Sequence, residues 1–200
     1  MSLRTRSLLR AAAFMALAGL GLGGCERVMS ALDMGGNVGR LEPALIGPDR
    51  LAVTIPATGA VALLGPVAQN GDVTVWQTLD GITLSMQRDV LIGTRGLGED
   101  LMSADAEGVL ALLQAGADAD PVPHFRSHLD GEDQTVFRSY YCFRDAGQPD
   151  AGLRRIEIRC TAPHNSFTNT FWLDASGVIM LSRQWISPTQ QYMNVRHIRG

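Results

Sequence analysis

Two histidines, His124 and His128, are the residues of this sequence whose type and spacing most suggest a metal site. On a helix, residues four apart lie on one face and can share a zinc ion. Here they stand in PVPHFRSHLDG, where two prolines and an Asp-Gly pair favour an extended chain. In a strand their Cα atoms would lie roughly 13 Å apart, too far for one ion to be shared. We therefore predict no metal site and no cofactor, and expect both histidines to be partly solvated strand residues.

Two other segments carry groups that bind ions in other proteins. Residues 99–107 are rich in carboxylates but lack the ligand order of a calcium loop, and they fit better as the acidic start of a helix. The glycines of GTRGLGEDL follow a predicted strand, but no Gly-Lys-Ser/Thr completes a phosphate-binding loop. A Gly-x-Ser-x-Gly nucleophile elbow is also missing. The sequence gives no support for catalysis, and we predict that the protein is not an enzyme.

Cys25 is the thiol with a clear chemical role, because it ends a short apolar segment that follows three arginines. The segment is too short to span a bilayer, which needs roughly 20 apolar residues. A basic start, a short apolar middle and small residues before a cut are typical of a secretory signal peptide. Residues 22–25, Leu-Gly-Gly-Cys, resemble the lipobox of bacterial lipoproteins, in which the cysteine carries acyl chains such as palmitate. That resemblance implies lipidation of Cys25, and Glu26 after it implies sorting to the outer membrane, with the domain facing the periplasm.

The predicted organisation is a lipoprotein signal peptide at 1–24, a lipidated N-terminus and tether at 25–50, and one β-rich domain at 51–200. Three of the 17 basic residues lie in the signal peptide, so the mature chain carries 14 against 20 acidic residues, a formal net charge of −6. All the basic residues are arginines. This balance argues against nucleic-acid binding and against an electrostatic hold on anionic lipid. Contact with the membrane is therefore expected to rest on the lipid anchor.

Alternating side chains after residue 51 predict a sheet with one face in the core. The clearest case is a pair of strands, residues 73–78 and 82–87, joined by the hairpin signal Asp80-Gly81. Gly65-Pro66 is expected to interrupt the preceding strand. One helix is predicted between Ser103, as its N-cap, and Gly116, which would close it. We predict a mainly antiparallel β domain, barrel-like or sandwich-like, with one short α-helix.

Cys142 and Cys160 remain after Cys25 is assigned to lipid, and an even pair in an exported protein predicts a disulfide. The strand patterns complicate that pairing. Around Cys160 the apolar side chains share its face, at Ile156 and Ile158. Around Cys142 they lie on the opposite face, at Phe137, Tyr141 and Phe143, and a direct bond would turn two arginines towards the core, Arg138 and Arg144. Either a bulge reconciles the two faces, or the thiols are separate and buried.

Aromatic side chains are the groups best suited to stack on sugar rings. Most tryptophans and tyrosines of the sequence are expected to pack within the sheet. Trp172 and Trp185 each stand among polar neighbours. We therefore retain these two as candidate contacts to a carbohydrate.

With its lipobox, the segment VWQTLDGITLSMQRDVLIGTRGLGEDL resembles the YjbF/GfcB-type lipoproteins of exopolysaccharide and capsule operons. In that family a tryptophan precedes a polar hairpin, and a Gly-Leu-x-x-Asp-Leu element follows it. The matching positions here are Trp76, the Asp80-Gly81 turn, Gly96, Leu97, Asp100 and Leu101. NTFWLDASGVIMLSRQWISP is also similar, with a Ser-x-Gln segment at Ser182 and Gln184. By this resemblance Gly96 allows a backbone turn, Leu97 and Leu101 pack, and Trp76 belongs to the sheet.

The resemblance implies a barrel-like outer-membrane lipoprotein that assists production or export of an extracellular polysaccharide without catalysis. Its expected partners are other polysaccharide-secretion proteins or the polysaccharide itself. The alternative is a lipid or lipoprotein carrier with an apolar β cavity. A carrier would need inward-facing apolar side chains that nothing fills.

Overall fold

The computed structural model describes residues 47–132 and 134–198, and this part of the chain is antiparallel β-sheet with one helix. The predicted signal peptide, Cys25 and most of the predicted tether lie outside the described residues. The elements follow in the order β1 (Arg50–Ile55), β2 (Ala60–Asn70), β3 (Val73–Gln77), β4 (Thr83–Gln87), β5 (Val90–Arg95), β6 (Leu101–Ala104), α1 (Glu107–Gln114), β7 (Val122–Leu129), β8 (Thr135–Arg144), β9 (Gln148–Asp150), β10 (Leu153–Ala162), β11 (Asn165–Leu173), β12 (Ile179–Trp185) and β13 (Tyr192–Ile198). In these ranges, no helix is long and apolar enough to cross a membrane.

The sheet is a single antiparallel array in the order β5-β4-β3-β2-β1-β13-β12-β11-β10-β8-β7-β6, with short β9 paired to β10. Its first and last strands in the chain, β1 and β13, are neighbours near the middle. Its two ends, β5 and β6, approach each other, since a Cβ on Gly93 would lie 3.6 Å from the Leu101 carbonyl oxygen. The sheet therefore curls into a nearly closed barrel, which confirms the predicted fold class.

The β3–β4 hairpin forms where the sequence predicts it. Thr78 donates its backbone N–H to the Ile82 carbonyl oxygen, and Gly81 occupies the turn at a φ of +95° that favours glycine. The predicted interruption at Gly65-Pro66 is wrong, because β2 continues through both residues. A bulge between Pro66 and Ala68 absorbs the proline.

Helix α1 is shorter than predicted. Its N-cap is Ala106, without a side-chain hydrogen bond, and Ser103 lies instead in β6, hydrogen-bonded to Ser127 across the β6–β7 pair. The Asp105 carboxylate accepts the Glu107 N–H, so the helix start takes its acceptor from Asp105. The predicted start at Ser103 is therefore wrong, whereas Gly116 directly follows the C-cap Ala115, where the helix ends. The buried face is as expected: Val109, Leu110, Leu112 and Leu113.

Two groups of buried side chains fill the interior. The first joins α1 to the inner faces of β8, β10, β11 and β12, and the second joins β1–β5 to β13. Gly108 lets the helix pack closely on β7, because a Cβ there would lie 3.0 Å from Val122 Cγ2 and 3.2 Å from the Pro123 carbonyl oxygen. The helix thus belongs to the core of one half of the barrel.

Candidate functional site

Asp100 organises the loop between β5 and β6 that carries the Gly-Leu-x-x-Asp-Leu motif. One carboxylate oxygen accepts the Thr94 hydroxyl at 2.7 Å and the Leu97 N–H at 3.1 Å, and the other accepts the Gly96 N–H at 2.8 Å. Gly96 has a φ of +90°, a conformation that a side chain would strain. The motif therefore builds a buried-carboxylate loop where the two ends of the sheet meet.

The same loop is tied to the β12–β13 connection. Gln190 Nε2 donates to the Leu97 carbonyl oxygen at 2.5 Å, and the Thr189 N–H donates to the Glu99 carboxylate at 3.3 Å. Leu101 is fully buried in the second core group, and Leu97 packs against that group. Through these contacts the motif links distant segments of the chain, and it does not form an open binding loop.

Trp76 and Gln184 also hold the fold together. Trp76 is buried in β3, with its ring edge-on to His197 at 5.9 Å between centroids. Gln184 is buried in β12, where its side chain accepts the Leu91 N–H at 2.8 Å and donates to the Asp89 carbonyl oxygen at 2.9 Å. The Ser-x-Gln segment thus bridges two parts of the chain more than 90 residues apart.

The inner face of β7 carries a buried cationic row, His124, Arg126 and His128, which are 2%, 3% and 6% exposed. The prediction that the histidines are partly solvated is wrong, because alternate residues of β7 point into the barrel. Arg126 Nη2 donates to the carbonyl oxygens of Trp185 and Ile186 at 2.9 and 3.2 Å. Within the described chain, Arg126 Nε and all four imidazole nitrogens have no hydrogen-bond partner.

Burial lowers the pKa values of all three side chains in this row. The pKa of His124 falls to about 4 and that of His128 to about 4, first because burial disfavours the charged ring and then because Arg126 is nearby. Burial lowers the pKa of Arg126 to about 9. The row therefore holds one cation and two neutral rings at neutral pH. Among the described residues there is no group of three His, Cys, Asp or Glu side chains that could hold a metal ion.

Aromatic rings surround the cationic row. Phe167 and Trp185 stack with centroids 5.0 Å apart, and the Arg126 guanidinium lies 5.1 Å from each centroid. His128 meets Trp185 edge-on at 5.5 Å. Trp185 is only 7% exposed and offers no open face to a sugar ring. The predicted carbohydrate contact at Trp185 is therefore wrong, because this ring and its polar neighbours Gln184 and Ser187 are buried, although Arg183 is exposed.

Cys142 and Cys160 are directly opposite each other on β8 and β10, and the structure joins them in a disulfide. The pairing is residue by residue, without the bulge considered from the sequence. The alternating aromatic residues of β8 predict a core face but point to solvent, while Tyr140 and Cys142 are buried. The conflict between the two strands came from that assumption.

Trp172 lies on the outer side of β11 and is half-buried. Its indole Nε1 donates to the Asp150 carboxylate at 2.7 Å, which fixes the ring against β9. The ring borders a groove of about 320 Å³ on the solvent side of β1, β13 and β12, which is also lined by Ala52, Thr54, Leu181, Asn194 and Arg196. Of the two candidate tryptophans, only Trp172 has a position from which it can contact a ligand.

A second exposed surface was missed by the sequence reasoning. Phe125, Phe137 and Tyr141 project from the solvent side of β7 and β8, and they are 56%, 80% and 62% exposed. Phe143 lies on the same side, with the Arg159 guanidinium 5.6 Å from its ring centroid. We call Phe125, Phe137, Tyr141 and Phe143 the aromatic face. The signal available in the sequence was Cys142. It alternates with the aromatic residues of β8, so a buried cysteine places their rings on the outer side of the strand.

The fold is that of a barrel-like antiparallel β domain with lipoprotein-type sequence features. The chain belongs to the family described as group 4 capsule polysaccharide lipoprotein GfcB, YjbF, whose profile matches residues 47–198. Membership implies association with the cell envelope and a general role connected with capsule polysaccharide. The family predicted from the sequence motifs is thereby confirmed.

A solved structure supports the fold. The hypothetical lipoprotein YmcC from Escherichia coli K12 superposes with a TM-score of 0.62 at 16% sequence identity, over 86% of this chain and 94% of that chain. No curated protein sequence matches this chain significantly.

Proposed function

We propose that the protein is a non-catalytic accessory lipoprotein that assists production or export of an extracellular polysaccharide. The observation that carries this proposal is the family match, which extends over nearly all of the described domain. Its action would be binding, either to the polysaccharide or to other proteins of the secretion apparatus. Two exposed aromatic sites support binding as the mode of action: Trp172 with its groove, and the aromatic face.

A non-catalytic role agrees with the way the chemically capable groups are used. Asp100 is occupied by three hydrogen bonds within its loop. His124 and His128 are buried, and their lowered pKa values keep them neutral at physiological pH. Asp100 therefore stabilises its loop, and both imidazole rings lie inside the barrel.

The carrier alternative finds little support. The apolar cavity lined by Val53, Ile55, Ala60, Ala62, Leu64, Thr78, Ile82, Leu84 and Leu97 measures about 60 Å³. Ligand pockets are commonly about 300–1,000 Å³. Because the apolar side chains within each core group pack together, an acyl chain would need a rearranged barrel.

The anchor in this proposal is an acylated Cys25, with the domain held at the periplasmic side of the outer membrane. Several acyl chains together give stable attachment, whereas one chain holds only marginally. The mature chain is acidic and has no lysine, so lipid rather than charge would keep it at the membrane.

A strain lacking the gene tests the function, complemented in turn by the wild type, Cys25→Ser and Glu26→Asp. We expect the deletion to lower cell-surface polysaccharide, the wild type to restore it, and Cys25→Ser to release the protein from the membrane without restoring it. Glu26→Asp should shift the protein to the inner-membrane fraction of a density gradient. Unchanged polysaccharide output in the deletion strain would refute the proposed function.

A further inference from the structure

The aromatic face is an unusual surface because its large rings are open to solvent on the outer side of the sheet. Phe125, Phe137 and Tyr141 are each more than half exposed. β8 is paired with β7 over residues 135–142 and with β10 over residues 141–144. At residues 141–142 a partner strand cannot add to the backbone, and recognition there must use the side chains.

The register sets these rings in a row. Phe125 is opposite Ser139, so it lies diagonally between Phe137 and Tyr141. Diagonal neighbours on one face are about 7–8 Å apart, and Phe137 and Tyr141 are about 14 Å apart along β8. The rings are thus spaced along a line and separated by a small polar side chain, instead of merging into one apolar patch.

Polar groups between and beside the rings are hydroxyls and one cation. Ser139 lies at the centre, Thr161 is opposite Tyr141 on β10, and Arg159 is opposite Phe143. The outward positions of β7 and β8 carry no carboxylate. The face therefore combines rings, hydroxyl groups and an arginine, and Glu157, on the same side of β10, is ion-paired with Arg155.

We propose that the aromatic face binds an extended polysaccharide chain, whose pyranose rings stack on Phe125, Phe137 and Tyr141 while its hydroxyl and carboxylate groups meet Ser139, Thr161 and Arg159. The apolar C–H side of a pyranose ring carries partial positive charge and packs on the negative face of an aromatic ring, as other positively charged groups do. This inference rests on the proposed function, and it names the surface and the ligand through which the protein acts.

Other occupants fit the surface less well. Protein interfaces are enriched in aromatic residues and arginine, as this face is, but they are depleted in serine, and Ser139 occupies its centre. Adsorption to an anionic bilayer usually uses basic clusters, whereas the mature chain has a formal charge of −6. A linear polymer matches the row of separated rings.

The test uses the full-length lipidated protein in detergent micelles and the extracellular polysaccharide purified from the host strain, with binding measured by retardation in polymer-containing native gels. Phe137→Ser/Tyr141→Ser removes two rings, and we expect it to weaken binding about tenfold or more. The matched variant Phe137→Tyr/Tyr141→Phe keeps both rings and should bind like the wild type. Leu79→Ser, an exposed apolar residue in the β3–β4 turn, serves as a distant control. Equal thermal unfolding of the variants shows that the fold is intact.

Three outcomes would overturn the inference: a wild type that is not retarded, a serine double variant that binds like the wild type, or a serine double variant whose only loss is self-association or binding to phosphatidylglycerol vesicles. Complementation of the deletion strain distinguishes a failure of this inference from a failure of the proposed function. If the deletion lowers surface polysaccharide and the serine double variant restores it fully, the accessory function stands and the aromatic face is not its binding site.

Discussion

The guanidinium of Arg126 lies 5.1 Å from the ring centroid of Trp185 and donates to the backbone carbonyl oxygen of the same residue at 2.9 Å. Arg126 also donates to the Ile186 carbonyl oxygen, and no carboxylate in the described part of the chain forms an ion pair with it. The barrel therefore holds a buried cation by backbone oxygens and aromatic faces alone. Such an arrangement depends on the planar shape of the side chain.

Substitutions of Arg126 should separate its shape from its charge. Arg126→Lys keeps a cation but cannot donate to both carbonyls while lying against two rings, so we expect it to lower the free energy of unfolding by about 2–3 kcal/mol. Arg126→Met also loses the hydrogen bonds but removes the buried charge, so it should be less destabilising than Arg126→Lys. Urea unfolding measures both. The control is Arg138→Lys, at the exposed position opposite Arg126 on β8, which should change stability by less than about 0.5 kcal/mol. A larger loss of unfolding free energy in Arg126→Met than in Arg126→Lys would contradict the argument.

The two buried histidines should make the fold sensitive to mild acid. In the unfolded chain they take up protons near pH 6.5, whereas in the folded protein their pKa values are about 4. Between these values the unfolded state binds more protons, so stability is full above pH 6.5 and is lost as the pH falls towards 4, by several kcal/mol in total. The Asp105 carboxylate near His124 opposes the shift, while Arg138 adds to it at His128.

Urea unfolding between pH 5 and 7 at constant ionic strength measures this dependence. His128→Gln removes one titrating ring, so its stability should fall less steeply over that range. His164→Gln, at an exposed position, should keep the wild-type slope. Stability that does not change between pH 5 and 7 would show that the rings are not held neutral by burial.

The sequence predicts the architecture well where local and long-range signals agree. Alternation and the Asp-Gly turn identify β3 and β4, because a hairpin is specified by neighbouring residues. Prediction from the sequence fails where packing against distant segments decides which way a side chain faces. In the sequence, the alternating aromatic residues of β8 look like a core face. The disulfide and α1 occupy the inner side of β8, so the rings point outwards. Likewise, the burial of polar residues on β7 depends on their contacts with the segment around Trp185, which is distant in the sequence.

Loss of the Asp100 carboxylate should loosen the junction of the two sheet ends. Asp100→Ala removes the acceptor of the Gly96 and Leu97 N–H groups and of the Thr94 hydroxyl. Because buried donors left without an acceptor cost about 1–3 kcal/mol each, we expect a loss of about 3 kcal/mol in unfolding free energy. Hydrogen exchange should accelerate in β5 and β6 before other strands. Asp120→Ala, at an exposed loop position before β7, is the control, and equal effects of the two substitutions would exclude a special role for the loop.

The Cys142–Cys160 bond should be detectable and stabilising in the exported protein. The two cysteines are 18 residues apart, and a closed loop of this size stabilises a fold by roughly 3 kcal/mol. Protein purified from the envelope should resist thiol alkylation at both positions until it is reduced. Cys142→Ser/Cys160→Ser should lower the free energy of unfolding by a similar amount and leave lipidation at Cys25 unchanged. Alkylation of both thiols in the unreduced native protein would contradict the bond.

Trp172 should contribute to polysaccharide binding through its ring, because it borders the outer groove and its indole is oriented by Asp150. Trp172→Ala is expected to weaken retardation by the host polysaccharide about fivefold to tenfold. Trp172→Phe keeps an aromatic face but loses the hydrogen bond to Asp150, so it should retain most of the affinity. Asp150→Asn should have a small effect, because the amide oxygen can still accept from the indole N–H. If Trp172→Ala binds like the wild type while the aromatic-face variant does not, the polymer crosses β7 and β8 without reaching the groove.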